Sequence, residues 1–145
     1  MLFSQTAYYA MRAVYYLLIT GDGTWHLTKD IAEATKIPAP YLARIMSTLA
    51  KRGILRSRTG MGGGFCISDN GLKATLFDVV SQFDNFNNIP ECMFGFVDCE
   101  GKDHLELHRK WLTVKEGIVD LLKSTTLESL KNDDLKVDWL KVQTF

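Results

Sequence analysis

Residues 28–68, TKDIAEATKIPAPYLARIMSTLAKRGILRSRTGMGGGFCIS, decide the fold. Thr28 has the chemistry of an N-cap for a short helix over Lys29–Thr35, with Ile31 and Ala32 facing inward. Lys36-Ile37-Pro38-Ala39 is too short and too Pro-bound for anything but a turn. A second helix is predicted from Pro40, suited to the first helical position, to Arg52, before Gly53. Its apolar stripe is Leu42, Ile45, Met46 and Leu49. Two short helices joined by a tight turn make a helix-turn-helix pattern. Ile54–Arg58 and Phe65–Ser68 then read as strands, and Gly60-Met61-Gly62-Gly63-Gly64 between them as a permissive tight loop. A helix-turn-helix followed by a β-hairpin with a basic first strand is the arrangement of a winged helix. No Lys-Ser/Thr follows the glycines and no helix opens directly after them, which argues against a phosphate-cradling loop.

Upstream, Thr6–Thr20 places Ala7, Tyr8, Met11, Tyr15 and Leu18 at helical spacing, and Gly21-Asp22-Gly23 breaks the helix. Downstream, a helix over Leu72–Phe83 is expected to pack back on the winged body. Asp84–Asp103 has little periodicity and carries two of the three cysteines, and so long a loop is usually functional or disordered. Asp103 resembles an N-cap with Glu106 as its capping-box partner. The helix it opens, to about Lys123, bears Leu107, Trp111, Val114, Ile118 and Leu121 at spacings of three and four. Such a stripe needs cover, and the simplest cover is the same helix of a second copy. A short helix around Leu127–Lys131 follows. The expected fold is therefore mainly α with a small β-hairpin wing. It divides into a winged helix-turn-helix domain (1–83), a cysteine-containing sensor loop (84–103), and a dimerisation helix with its tail (104–145).

Length and composition agree with one ordinary domain. The 145 residues are 46% hydrophobic and 23% charged, which excludes a disordered or low-complexity chain. No apolar run is long enough to cross a bilayer and no signal peptide is visible, so a cytoplasmic protein without a membrane partner is expected. Three sparse cysteines argue against a secreted disulfide scaffold. The net charge of zero hides a division: residues 1–60 carry +5 and residues 61–145 carry −5. Arg44 to Arg58 hold five cations and no acid. A basic half beside an acidic one points to a polyanionic partner, first of all duplex DNA.

The helix starting near Pro40, with its apolar stripe turned inward, presents Pro40, Tyr41, Arg44, Ser47 and Lys51 outward. Arg44 can grip guanine O6 and N7 with two hydrogen bonds. Tyr41, Ser47 and Lys51 suit phosphates, which fix register without reading sequence. Thr28 and Lys29 sit at a helix N-terminus, where backbone N–H groups also welcome a phosphate. Arg56, Arg58, Gly62 and Gly63 would meet the DNA backbone or minor groove from the wing. In the cysteine loop, Cys92 and Cys99 are followed by His104 and His108, two imidazoles one helical turn apart. That donor set suits a metal: a cluster with mixed ligation or tetrahedral zinc. Glu91, Asp98, Glu100 and Asp103 would raise the thiol pKa values and oppose a reactive thiol pair. Cys66, alternating with Phe65 and Ile67, reads as packing. No nucleophile elbow, phosphate loop or set carboxylate pair supports an enzyme.

The segments Ser4-Gln5-Thr6-Ala7-Tyr8-Tyr9-Ala10-Met11-Arg12-Ala13, Asp30-Ile31-Ala32, Tyr41-Leu42, Leu49–Leu55 and Arg58–Phe65 carry a resemblance. With the cysteine loop, Trp111 and Thr126–Leu130, they resemble the Rrf family of bacterial winged-helix regulators, which includes IscR-type iron–sulfur and NsrR-type nitric-oxide sensors. The resemblance covers nearly the whole chain. It implies a homodimer through the 104–123 helix, bound to a roughly palindromic operator. In many members an iron–sulfur cluster sits in the cysteine loop. The family pattern usually has three cysteines there; with a histidine near the place of the third, 2Fe–2S is favoured over 4Fe–4S. A cluster-free repressor answering a small molecule or thiol oxidation, or a protein with structural zinc, is the alternative. Ala43 and Thr59 stand where IscR-type members often carry Glu or Gln and Arg, so the operator sequence does not carry over.

Overall fold

The structure, a computed structural model, describes residues 2–21, 23–86, 89, 92–94, 106–132, 138 and 141. The elements run α1 (Gln5–Thr20), α2 (Thr28–Thr35), α3 (Ala39–Lys51), β1 (Leu55–Arg58), β2 (Gly64–Ile67), α4 (Asp69–Lys73), α5 (Leu76–Val80), α6 (Glu106–Ser124) and α7 (Leu127–Lys131). A mostly helical body with one antiparallel hairpin is the winged-helix arrangement expected.

The helix-turn-helix forms as its spacing demands. Leu42, Ile45, Met46 and Leu49 of α3 are all buried, together with Ile31, Ala32 and Thr35 of α2. Three residues join the two helices: Lys36 caps α2 in the left-handed region, and Ile37 tucks into the core. Thr28 is not the cap. It is the first helical residue, and Leu27 takes the cap position without a side-chain bond, its carbonyl accepting from Ile31 at 3.1 Å. The chain leaves an extended bridge at His26 and turns helical one residue early. β1 and β2 pair in register Leu55 with Ile67 through Arg58 with Gly64. His26 adds a single-residue third edge, exchanging backbone hydrogen bonds of 3.0 and 2.8 Å with Phe65.

The expected stripe on α1 is corrected. Its buried residues are Ala7, Tyr9, Ala10, Ala13, Val14, Leu17 and Leu18, whereas Tyr8, Met11 and Tyr15 are half-buried. Tyr9, Ala10, Ala13, Val14, Leu17 and Leu18 join the winged-body core. Ala7 and Met11 join a second cluster with Val80, Leu122, Phe77 and Phe86. The helix is covered on two sides, so no single periodic stripe describes it.

The helix expected over Leu72–Phe83 is two helices. α4 ends at Lys73 and α5 begins at Leu76, with Thr75 and Asp78 closing a capping box between them. At the break the backbone pairs with the α6–α7 junction: Leu76 N–H donates to Thr125 O and Leu127 N–H to Ala74 O, both at 2.9 Å. A continuous helix would use those groups internally. Thr75→Ala removes half the capping box, with an expected loss of about 1 kcal/mol. Calorimetry should then show Tm lower by roughly 2–4 °C. An unchanged Tm would mean that the backbone bridge alone sets the break.

The C-terminal end of α6 docks on the cluster that α1 and α5 form. Leu122 is buried and Ile118 packs beside it, while Leu107, Val114 and Leu121 are 43%, 53% and 62% exposed. α7 returns to the winged body, where Leu127 is fully buried in the main core. The expected Asp103 cap lies outside the described residues.

Candidate nucleic-acid interface and cysteine segment

With its apolar side buried, α3 turns Pro40, Tyr41, Arg44, Ser47 and Lys51 to solvent. Thr48 donates back to the Arg44 carbonyl at 3.0 Å and is partly withdrawn from that face. Tyr41 is held at the helix start by a 2.7 Å hydroxyl contact with Thr6 and by an edge-on ring contact with Tyr9, with centroids 5.5 Å apart. Lys29 is exposed and Thr28 half-buried at the first turn of α2. The hairpin adds Arg56, Arg58 and Gly62, all exposed. Gly63 is buried: a Cβ there would stand 2.3 Å from the Arg58 carbonyl oxygen, so its backbone shapes the wing from inside. The loop tip carries a fully exposed Met61.

One residue of this face carried no spacing signal. Trp25, in the connection between α1 and α2, lies under both wing arginines. Its partners are more than thirty positions away in sequence. The available sign was a lone indole in a short polar connection leading into the basic stretch.

Cys66, buried on β2 opposite Arg56, has its thiol pushed up by burial against the opposing pull of Arg56 and Arg58. A neutral thiol suits the packing role expected of it.

Of the four candidate metal donors, Cys92 is buried and His108 half-buried on α6. Cys99 and His104 lie outside the described residues. Among the described residues no three His, Cys, Asp or Glu side chains gather as a metal group. The donor chemistry of the full set, two thiolates and two imidazoles, fits a 2Fe–2S cluster or zinc. The start of the cysteine segment is firmly seated: Asp84 accepts the Ser4 N–H at 2.9 Å, and Phe86 stacks on Phe77 with centroids 5.2 Å apart. Lys123 of α6 lies 4.9 Å over the same Phe77 ring. The segment thus leaves the body where α1, α5 and α6 meet.

Three comparisons with known proteins bear on this geometry. The family model Rrf2, described as an iron-dependent transcriptional regulator, matches residues 3–133. A protein of Aquifex aeolicus described as an HTH-type transcriptional regulator is 33% identical over 138 residues, covering 94% of this chain and 95% of its own. The HTH-type transcriptional regulator IscR of Pectobacterium atrosepticum is 32% identical over 104 residues; the match covers 72% of this chain and only 63% of that protein. In structure, the chain is similar to CymR, the global cysteine regulator of B. subtilis, with TM-score 0.73, 22% identity and coverage of 88% and 94%. It is similar also to T. potens IscR, with TM-score 0.68, 21% identity and coverage of 96% and 95%. The family model and both sequence relatives are described as transcriptional regulators. No helix among the described residues is long and apolar enough to cross a membrane.

Proposed function

The chain belongs to the Rrf2 family of transcriptional regulators, and on that premise we propose that it binds a roughly palindromic operator as a homodimer. One observation carries the reading: α3 packs against β1, and Arg44, Lys51, Arg52, Arg56 and Arg58 are all exposed on these two adjoining elements, with no acid from Arg44 to Arg58. α3 enters the major groove, Arg44 takes a guanine edge, and Tyr41, Ser47 and Lys51 take phosphates. Thr28 and Lys29 offer the N-terminus of α2 to a phosphate. Arg56, Arg58 and the glycine tip at Gly62 and Gly63 follow the DNA backbone toward the minor groove. The second copy covers the open stripe of α6, which sets the spacing of the two recognition helices.

The regulatory part is the cysteine segment. Cys92, Cys99, His104 and His108 would hold a 2Fe–2S cluster, which supplies a charge and a link sensitive to oxidation and nitric oxide when bound. Supporting this are the donor set, the burial of Cys92 and the position of His108 on α6. Cys92 and His108 then tie the segment to the dimer helix, and Asp84 and Phe86 tie it to α1 and α5. Altering either tie shifts the angle between α6 and the winged body, and so the affinity for the operator.

The test is a pair of measurements on protein purified without oxygen. Absorbance with iron and sulfide analysis should show thiolate-to-iron bands and equal iron and sulfide, both abolished in Cys92→Ala. Duplexes selected from a random pool should be bound, and Arg44→Ala should erase preference among them. A colourless protein holding zinc would replace the sensor with a structural metal. A colourless, metal-free protein that resists reconstitution would leave a cluster-free repressor.

A further inference from the structure

Two wing arginines converge on one indole. The guanidinium carbons of Arg56 and Arg58 lie 5.4 and 4.6 Å from the ring centroid of Trp25. Two residues apart on β1, they project from the same face of the hairpin. Trp25 belongs to a different stretch of chain, yet it moves with the wing, because its neighbour His26 exchanges two backbone hydrogen bonds with Phe65 of β2. Arg58 is fixed at a second point, donating to the Gly62 carbonyl at the turn.

The choice of an aromatic matters. A carboxylate would hold the two arginines at least as well, but it would cancel the charge they offer to a polyanion. An indole holds a cation through its ring quadrupole and leaves the formal charge intact. Among the described residues neither guanidinium is paired with a carboxylate. Both carry long, rotamer-rich stems whose ordering on binding costs affinity unless it is done beforehand. Loop glycines at Gly60 and Gly62, both at positive φ, make the tip easy to deform, so a fixed point outside the hairpin has something to restrain.

We propose that Trp25 is a positioning residue for DNA binding: it stacks Arg56 and Arg58 into a preset cationic pair, aimed at successive phosphates beside the groove the wing enters. This rests on the DNA-binding reading above.

The experiment is a mutant cycle on the full chain, read by fluorescence anisotropy on a duplex selected by the wild-type protein, over a series of salt concentrations. Trp25→Ala should weaken binding about 5- to 20-fold. It should also flatten the slope of log K against log salt by roughly one for each phosphate that the arginines no longer neutralise. Trp25→Phe should recover most of the affinity, because a smaller ring still stacks. In the Arg56→Gln/Arg58→Gln background, Trp25→Ala should change affinity by less than about two-fold, since coupled residues are non-additive. If Trp25→Ala does not fold, Trp25→Leu, which keeps apolar bulk without a ring, must show the same weakening and the same dependence on the arginines. A weakening of equal size with and without the arginines, or an unchanged salt slope, overturns the positioning role. A wild-type protein that selects no duplex overturns the DNA-binding reading itself, and this inference with it.

Discussion

Val114→Glu with Leu121→Glu is expected to convert a dimer into a monomer and to weaken operator binding by about 100-fold or more, the scale expected when a second binding module is removed. Leu107, Val114 and Leu121 are spaced by seven, so they fall within about 20° of one line along α6. They are exposed in the single chain, while Ile118 and Leu122, a few positions away on the same helix, are docked against α1 and α5. The helix is about 28 Å long at 1.5 Å per residue, and its open stripe continues well past its docked end. In a two-fold contact the same stripe of both copies is buried, so four introduced carboxylates would be brought into one apolar interface and oppose its formation. Within the monomer the substitutions sit on solvent, where changes usually stay within about 0.5 kcal/mol. Far-UV circular dichroism should therefore be preserved while light scattering reports the mass of one chain. A double variant that remains dimeric places the interface elsewhere; a wild-type monomer that binds its operator specifically removes the need for one.

Gly64→Ala should cost roughly 4 kcal/mol, the sum of a forbidden backbone region and a steric overlap, each about 1–3 kcal/mol. Its φ is +127°, outside what an L side chain tolerates. Its Cβ would stand 2.1 Å from the carbonyl oxygen of His26. Relief requires moving backbone, because the obstruction is main chain held by the His26–Phe65 pair. At the size of this chain the destabilisation corresponds to a fall in Tm of roughly 8–16 °C. Separating His26 from β2 would also carry Trp25 away from the arginines, so DNA binding should weaken even at temperatures where the variant is folded. Calorimetry and binding at 15 °C separate the two effects. A variant with wild-type Tm would show that the wing tolerates a wider gap at its third edge.

The parts of this fold that sequence made legible are those where one face of an element is buried and the other is not. Leu42, Ile45, Met46 and Leu49 declared the inner face of α3, and the same arithmetic left Arg44 and Lys51 outside. The wing was legible because its glycines separate two short runs rich in β-branched and aromatic residues or arginine. α7 was legible from Thr126 and the run after it, although its return to the core was not. Misreadings arose where distant chain decides local structure. Within Leu72–Phe83 the mark of the break is Thr75 with Asp78 three residues on, a capping box set inside an apolar run that reads as one helix; backbone groups at Thr125 and Leu127 then hold the break open. α1 misled because two separate clusters cover it, so its half-buried Tyr8 and Tyr15 mimic an inward stripe. Trp25 escaped because its stacking partners lie across the turn of the wing. On the metal side, chemistry and spacing named four donors, of which the described residues include Cys92 and His108.

The packing of α7 against α1 has a consequence for how the protein is made. The surface of Leu17 and Leu18 that Leu127 helps to close is synthesised early, and its cover more than a hundred residues later. At about 5–20 residues per second, the ribosome delivers the cover roughly 5–25 s after the helix it protects. Through that interval the recognition helix already exists as sequence, but its supporting helix is only part-covered. A nascent chain stalled before Leu127 would thus carry every residue of the DNA-facing surface and lack the clasp that holds it in shape. The winged body would reach its full packing only in chains whose translation had run past that point.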